Sequence, residues 1–136
     1  MILKEGKVLL GQRHPDPVKA SSALHGEGTW TMPGGKLEFQ EGFEDGAVRE
    51  VLEETGMHIS KENLKVISLA NDRGVDAHFV TIGLLYDGVL NEEPQVAEPD
   101  VITQWKWFDL DALPSPMFFP SQKVLDNYRA EEFYGA

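Results

Sequence analysis

The chain contains 136 residues, of which 41% are hydrophobic, and it carries a formal net charge of −11. This length predicts one domain over residues 1–136, with enough apolar side chains to form a core. Cysteine is absent, which excludes disulfides and cysteine-based zinc sites. The negative charge argues against binding to a nucleic-acid polymer, whereas a small nucleotide is compatible with it if a divalent metal neutralises the phosphates.

Short apolar segments and turn residues organise the first part of the chain. Ile2 and Leu3, then residues 8–10, flank a polar turn at residues 4–7, which predicts a hairpin. Residues 14–29 contain two prolines and little periodicity, which predicts a long surface loop. Residues 30–35 predict a strand that runs into a glycine turn, where backbone approaches a ligand closely.

Residues 43–55 predict an amphipathic helix. Gly42 and Asp45 suit its N-cap and N3 positions, and Gly56 suits the position that ends it. At about 100° per residue, the acidic and apolar side chains fall on separate arcs. The acidic arc contains Glu50, Glu53 and Glu54, and the predicted core arc contains Ala47, Val48, Val51, Leu52 and Thr55.

Two interpretations of the acidic arc remain open on helical spacing alone. Glutamates at i, i+3 and i+4 repel one another, and each such neighbour costs a few tenths of a kcal/mol. One interpretation is a solvated acidic surface. The other is a site for a hard cation, in which carboxylate oxygens hold Mg²⁺ and its waters against a phosphate.

The second half of the chain predicts three strands and a closing helix. Residues 64–71 and His78–Tyr86 predict two strands joined by a turn at residues 72–76, and residues 101–108 predict a third. Residues 121–133 predict a helix. Its inward-facing residues are predicted to be Val124, Leu125 and Tyr128. Strands interrupted by one helix and closed by another indicate an α/β sandwich.

The helix lies within a longer pattern, G-x5-E-x7-R-E-U-x-E-E-x-G-U, where U is apolar. Its fixed positions are Gly35, Glu41, Arg49, Glu50, Val51, Glu53, Glu54, Gly56 and Met57. The pattern resembles the Nudix box, the signature of hydrolases that act on a nucleoside diphosphate linked to another moiety. The flanking strands and the tail also resemble this family, so the resemblance extends to most of the chain.

The resemblance carries an expectation about the fold. It implies a Nudix α/β/α sandwich with a central mixed sheet and a catalytic loop-helix. It also implies an acidic turn and a short helix at residues 110–116. Relatives have a fuller first strand, which implies that this strand is short here or that upstream residues are missing from the sequence.

The resemblance further implies a divalent metal site for Mg²⁺, with Mn²⁺ as an alternative. Glu50, Glu53 and Glu54 are expected to bind the ions or orient a water, and the carbonyl of Gly34 is an expected additional ligand. Family members often recruit one acidic residue from outside the box, for which Glu98 is the expected ligand or base.

Two other residues of the box have an expected structural task. Arg49 and Glu41 are expected to form an ion pair that joins the helix to the loop and fixes the side chain of Glu50.

Asp100 is the alternative to Glu98 as the acidic residue outside the box.

Several segments resemble the MutT-type pyrophosphatases of oxidised purine triphosphates, which cut between the α and β phosphates. These segments are residues 33–39, 93–100 and 105–121. The leading expected substrate is 8-oxo-dGTP or a related purine triphosphate. The expected substrate contacts are Gly35, Lys36, Phe118 and Phe119. The two phenylalanines have an equal alternative, which is to pack in the core.

Other functions stay open because specificity in this family depends on loops outside the box. One alternative is a pyrophosphatase of ADP-ribose or nucleotide sugars, and another is a non-catalytic nucleotide-binding module.

No segment resembles a secretory leader or a membrane span, which predicts a cytoplasmic protein with no membrane partner. Homodimers are common in the family, so a homodimer is compatible with the resemblance.

Overall fold

The secondary structure follows the predicted order, with a few altered boundaries. A computed structural model describes residues 1–20 and 22–135. The strands are β1 (Leu3–Lys4), β2 (Lys7–Arg13), β3 (Trp30–Thr31), β4 (Leu64–Arg73), β5 (His78–Tyr86) and β6 (Ile102–Asp109). The α-helices are α1 (Pro17–Ala20), α2 (Phe43–Thr55) and α3 (Phe119–Ala130), and residues Lys61–Asn63 form one turn of 3-10 helix.

Strand β2 is the centre of the larger sheet. It pairs with β6 on one side, and with β1 and then β3 on the other, and all three ladders are antiparallel. The smaller sheet consists of β4 and β5, also antiparallel. Parallel pairings occur as isolated bridges, one of which joins Ile2 to Tyr86 and so links the two sheets.

Alternation along β2 explains why helices cover both faces of the larger sheet. Leu10 belongs to a core cluster that also contains Val124 and Leu125 of α3. Leu9 belongs to a second cluster that contains Val51 of α2. Because successive strand residues point to opposite faces, one buried strand contributes to both clusters. The α/β/α Nudix sandwich that the resemblance implies is confirmed.

The first hairpin has the geometry that its turn residues predict. Glu5 has φ 52° and Gly6 has φ 77°, which are the positive values that a two-residue type I′ turn requires. Strand β1 contains only two residues. Val8 and Leu10 are fully buried after the turn, so the hairpin leads directly into the core.

Several predicted elements differ from those in the structure. The loop at residues 14–29 contains the short helix α1, and residues 110–116 form turns rather than a helix. Helix α3 begins before residue 121 and ends at Ala130, where Glu131 adopts a left-handed conformation. Strand β4 continues through Asp72 and Arg73, which pair with β5, so the turn is shorter than predicted.

No helix within residues 1–20 and 22–135 combines the length and apolar character needed to cross a membrane.

Candidate active site

Helix α2 begins and ends at the predicted residues, although its first cap differs from expectation. Gly56 has φ 74°, and its N–H donates to the carbonyl of Leu52, which ends the helix in a left-handed turn. Gly42 has extended backbone and makes no side-chain cap hydrogen bond. Asp45 instead accepts a hydrogen bond from Lys61 Nζ at 3.2 Å, which ties the helix start to the 3-10 turn.

Arg49 is the centre of the charged network on α2. Its guanidinium donates to both carboxylate oxygens of Glu41, at 2.8 and 2.9 Å. It also donates to Glu50 at 2.8 Å, to Glu53 at 3.2 Å and to the carbonyl of Lys36 at 3.0 Å. The structure therefore contains the expected ion pair, and one arginine fixes the loop, the helix and the side chain of Glu50.

The protonation equilibria of this network follow from its hydrogen bonds. The hydrogen bonds from Arg49 lower the pKa of Glu41 to about 2. The pKa of Arg49 is raised, first by its hydrogen bond to Glu41 and then by that to Glu50. Both shifts favour the charged forms, so the pair stays ionised at neutral pH.

Glu54 is held differently from its neighbours. Only 6% of this residue is exposed, and its Oε1 accepts a hydrogen bond from the N–H of Gly34 at 2.8 Å. The main-chain carbonyl of Glu54 accepts a hydrogen bond from Trp105 Nε1 at 3.1 Å. Burial raises the pKa of Glu54 to about 8, with a further contribution from Glu50 and other nearby carboxylates. Burial also raises the pKa of Glu50, despite the opposing effect of Arg49.

The predicted division of α2 into a carboxylate arc and a core arc differs from the observed burial at two positions. Val51 and Thr55 are buried as expected, but Leu52 is 41% exposed and Glu54 is buried. Two residues from outside the helix contact Glu54, Gly34 at its carboxylate and Trp105 at its main-chain carbonyl. Burying a carboxylate is costly unless a charge or hydrogen bonds compensate it, which makes Glu54 a strong candidate for a functional group.

The two glycines before the box have different surroundings. A Cβ at Gly35 would collide with the carboxylate of Glu50, whereas one at Gly34 would meet nothing within 4 Å. Gly35 therefore allows the loop to lie directly against Glu50.

The two acidic residues outside the box, Glu98 and Asp100, differ in their effect on the glutamates of α2. Glu98 contributes to the raised pKa values of both Glu50 and Glu54. Asp100 is 81% exposed and lies 3.8 Å from Lys19. Of these two, Glu98 is the one whose charge acts on the α2 carboxylates.

The carboxylates suit a hard divalent cation in chemistry, but they are not arranged around one point. Within residues 1–20 and 22–135, no group of three His, Asp or Glu side chains has the geometry of a metal site. Arg49 holds Glu50 and Glu53, while Gly34 holds Glu54. The oxygen-only donor set and the repulsion among Glu50, Glu54 and Glu98 fit a bound cation, which would neutralise that repulsion.

A cavity of about 830 Å³ adjoins this cluster. Its wall includes the predicted residues Gly34, Gly35, Lys36, Glu50, Glu54 and Phe118, together with parts of β3, β5 and α3. This volume accommodates a nucleotide-sized ligand, with the carboxylates of α2 at one side and a mixture of apolar and polar side chains elsewhere.

Phe118 and Phe119 have different environments. Phe118 lines the cavity, and the guanidinium of Arg13 lies 4.3 Å from its ring centroid. Phe119 is absent from the wall and lies beside Phe118, with ring centroids 5.8 Å apart, and below Lys123 Nζ. The geometry therefore favours ligand contact for Phe118 over Phe119.

Sequence reasoning missed several polar residues near the cavity. Arg13 is only 4% exposed, lines the wall and donates to the carbonyls of His25 and of Ala20, the last residue of α1. Thr81 also lines the wall, and it donates to Asp72, which is fully buried. A signal was present, because a charged residue at an inward-facing strand position is rare unless paired.

Comparison with known proteins identifies the family. A family model described as NUDIX domain matches residues 1–128. An ADP-ribose pyrophosphatase of Methanocaldococcus jannaschii is 30% identical over 128 residues, covering 94% of this chain and 69% of that protein. An oxidized purine nucleoside triphosphate hydrolase of Danio rerio is 29% identical over 118 residues, covering 84% of this chain and 65% of that protein. The chain thus spans about two thirds of the length of these relatives.

A solved structure supports the same assignment. The crystal structure of a MutT NUDIX hydrolase from Burkholderia pseudomallei superposes with a TM-score of 0.78 at 28% identity, covering 92% of this chain and 90% of that one. The chain therefore belongs to the NUDIX domain family and is a hydrolase of that family.

Proposed function

We propose that this hydrolase is a Mg²⁺-dependent pyrophosphohydrolase that converts a purine nucleoside triphosphate, with 8-oxo-dGTP as the leading candidate, to its monophosphate and pyrophosphate. The observation that carries the proposal is the buried carboxylate of Glu54 beside Glu50, at the wall of a nucleotide-sized cavity. The name of the Danio rerio relative, an oxidized purine nucleoside triphosphate hydrolase, supports this substrate class.

The carboxylates of α2, together with Glu98 and Gly34, would bind the cation. When bound, a divalent cation supplies charge neutralisation for the phosphates and lowers the pKa of a coordinated water. Glu50, Glu53, Glu54 and Glu98 would hold the cation, with the Gly34 carbonyl as a further ligand. Glu54 would bind it as the deprotonated carboxylate, so cation binding would compete with the proton on that group.

The remaining residues of the box would position these groups. Arg49 donates to Glu41, Glu50 and Glu53, and a side chain with several fixed donors limits the movement of its acceptors. Catalysis of phosphoanhydride cleavage depends mainly on positioning and electrostatic stabilisation. Gly35 and Lys36 would contact the phosphates, and Phe118 would contact the base.

The second candidate function is hydrolysis of ADP-ribose or a nucleotide sugar. The name of the Methanocaldococcus jannaschii relative favours it, because that protein is an ADP-ribose pyrophosphatase and matches 94% of this chain. A non-catalytic nucleotide-binding module is less favoured, since such a protein has no need for three box glutamates and a buried carboxylate.

A substrate panel tests these alternatives. The panel contains canonical and oxidised deoxynucleoside triphosphates, ADP-ribose and a nucleotide sugar, and each product is identified by chromatography. The proposal expects the highest kcat/KM for a purine triphosphate, with pyrophosphate as the second product. Preferential cleavage of ADP-ribose would support the second candidate, and no turnover of any compound would support a binding module.

Three further expectations stay predictions. They are a single domain over residues 1–136, a cytoplasmic location and a homodimer.

A further inference from the structure

The buried carboxylate of Asp72 lies outside the Nudix box and has no role in the chemistry of α2. Ser68, Ala70 and Asp72 occupy alternate positions of β4, and none is more than 2% exposed. These residues therefore face the interior together. On the neighbouring strand, Thr81 pairs with Ala70 and lies on the same face of the sheet.

The two carboxylate oxygens of Asp72 have different partners. The Thr81 hydroxyl donates to Oδ2. Lys123 Nζ lies 3.2 Å from Oδ1, and the same ammonium donates to the carbonyl of Asn71 at 2.6 Å. Oδ1 is buried and has no hydrogen bond from the described residues. The carboxylate therefore accepts a hydrogen bond at Oδ2, while Oδ1 is paired with the lysine ammonium by charge.

This arrangement sets the hydrogen-bonding character of Thr81 toward the cavity. A hydroxyl has a single proton to donate, together with two lone pairs. The proton of Thr81 is committed to Asp72, and Thr81 lines the cavity. The oxygen of Thr81 is therefore left to act only as an acceptor toward a ligand.

We infer that Asp72 and Thr81 form a specificity element that selects a nucleobase presenting an N–H donor to the β5 wall of the cavity. Thr81 would contact the base directly, and Asp72 would act as a positioning residue that fixes the direction of the Thr81 proton. The inference rests on the proposed function, because it assumes that a nucleotide occupies the cavity.

Purines differ in the donors that such an acceptor would distinguish. Guanine has an acceptor at N7, whereas 8-oxoguanine carries a proton there. Guanine also carries an exocyclic amine at C2 that hypoxanthine lacks. An acceptor that meets either edge would favour the base with the extra N–H, since the other base leaves it unpaired or places two acceptors together.

Calorimetric binding of monophosphates tests the inference without depending on turnover. The ligands are 8-oxo-dGMP, dGMP and dIMP, which form two pairs that differ at one edge. We expect the donor-bearing member of at least one pair to bind more tightly, and Thr81→Val to reduce that preference about fivefold, the size of one neutral hydrogen bond. Thr81→Ser keeps the hydroxyl and is expected to retain the preference within about twofold.

Asp72→Asn provides a second readout. Lys123 favours an oxygen at the Oδ1 position, so the new amide nitrogen would occupy the Oδ2 position and donate to Thr81. The Thr81 proton would then point toward the cavity, and the preference for the donor-bearing base is expected to disappear or reverse. Thermal unfolding of each variant checks that it is folded, and the Thr81 variants decide the question if Asp72→Asn is not.

The outcomes separate this inference from the proposed function. Unchanged affinity ratios in Thr81→Val would overturn the specificity element even if the wild type hydrolyses triphosphates. Altered ratios in a protein that hydrolyses none of them would support the element and overturn the proposed reaction. No binding of any of the three monophosphates would overturn the inference as well.

Discussion

The two walls of the cavity hold negative charge in opposite ways. Behind the β5 wall, the buried carboxylate of Asp72 is matched by Lys123 and by Thr81, and Thr81 lines the cavity. On the α2 side, Glu50 and Glu54 are both partly desolvated and repel each other, and Arg49 reaches only the first of them. The side with paired charges is suited to ligand recognition. The α2 side, where the carboxylates repel each other, is suited to binding a cation, which would remove the repulsion.

Removing a carboxylate from α2 should have the largest effect on activity. Glu53→Gln and Glu54→Gln keep the side-chain shape but remove charge that would hold the cation, so each should lower kcat by about 10²-fold or more. Glu44→Gln is the matched control, because Glu44 is also on α2 but outside the box. The measurement is kcat at saturating Mg²⁺ for the three variants. Near-normal turnover in both Glu53→Gln and Glu54→Gln would mean that the acidic arc is only a solvated surface.

Displacing a carboxylate without removing it should have the next largest effect. In Gly35→Ala the new methyl group would collide with Glu50, and misplacing a catalytic group by about 1 Å costs up to about 10²-fold in rate. We expect kcat to fall by about tenfold to 10²-fold in Gly35→Ala. Gly34→Ala is the control, since its methyl group would meet nothing within 4 Å. Equal kcat values in the two variants would show that the contact with Glu50 does not matter.

The buried carboxylate should also make the stability of the metal-free protein depend on pH. The pKa of Glu54 rises from 4.5 to about 8 on folding. Between these values the native state keeps a proton that the unfolded state has lost, so the free energy of unfolding should fall as pH rises, by at most about 1.4 kcal/mol per unit. Urea unfolding in EDTA between about pH 5 and pH 8 measures this slope.

The control for the pH dependence is Glu54→Gln, which should flatten the slope because glutamine does not titrate. Mg²⁺ should restore stability near pH 8 in the wild type, since the cation binds the deprotonated carboxylate. A slope that is the same in the wild type and Glu54→Gln would contradict the assignment of the pH dependence to this group.

The smallest effect is expected at the aromatic pair. Phe118→Ala should raise KM about fivefold or more, because stacking of a base on an aromatic ring contributes about 1–3 kcal/mol. Phe119→Ala should raise KM less, since Phe119 is not part of the cavity wall. Steady-state kinetics on the best substrate compares the two. A larger KM for Phe119→Ala would reverse the assignment of their roles.

Local sequence features predicted most of the fold. Gly42 and Gly56 enclose an apolar pattern of helical period, and α2 has the predicted bounds. Strand β5 also has the predicted bounds because its apolar run is nearly continuous. The box placed Arg49 and Glu41 correctly as an ion pair. In each case the residues that determine the structure lie close together in the sequence.

The errors arose where distant segments decide the outcome. Helical periodicity placed Leu52 on the core arc and Glu54 on the opposite, carboxylate arc, but Leu52 is exposed and Glu54 is buried, with Gly34 bound to its carboxylate. Asp72 looked like a turn residue because aspartate favours turns, yet it pairs in β4 and is neutralised by Lys123. Neither contact can be inferred from spacing within one element.

The most direct test of the account is the metal dependence of turnover. The release of pyrophosphate from 8-oxo-dGTP, or from the best substrate of the panel, should be measured in excess EDTA and then during titration with Mg²⁺ or Mn²⁺. Because the proposed ligands are all hard oxygens, we expect turnover to cease in EDTA and to return with either ion. Undiminished turnover in excess EDTA would contradict the claim that the carboxylates of α2 form a catalytic metal site.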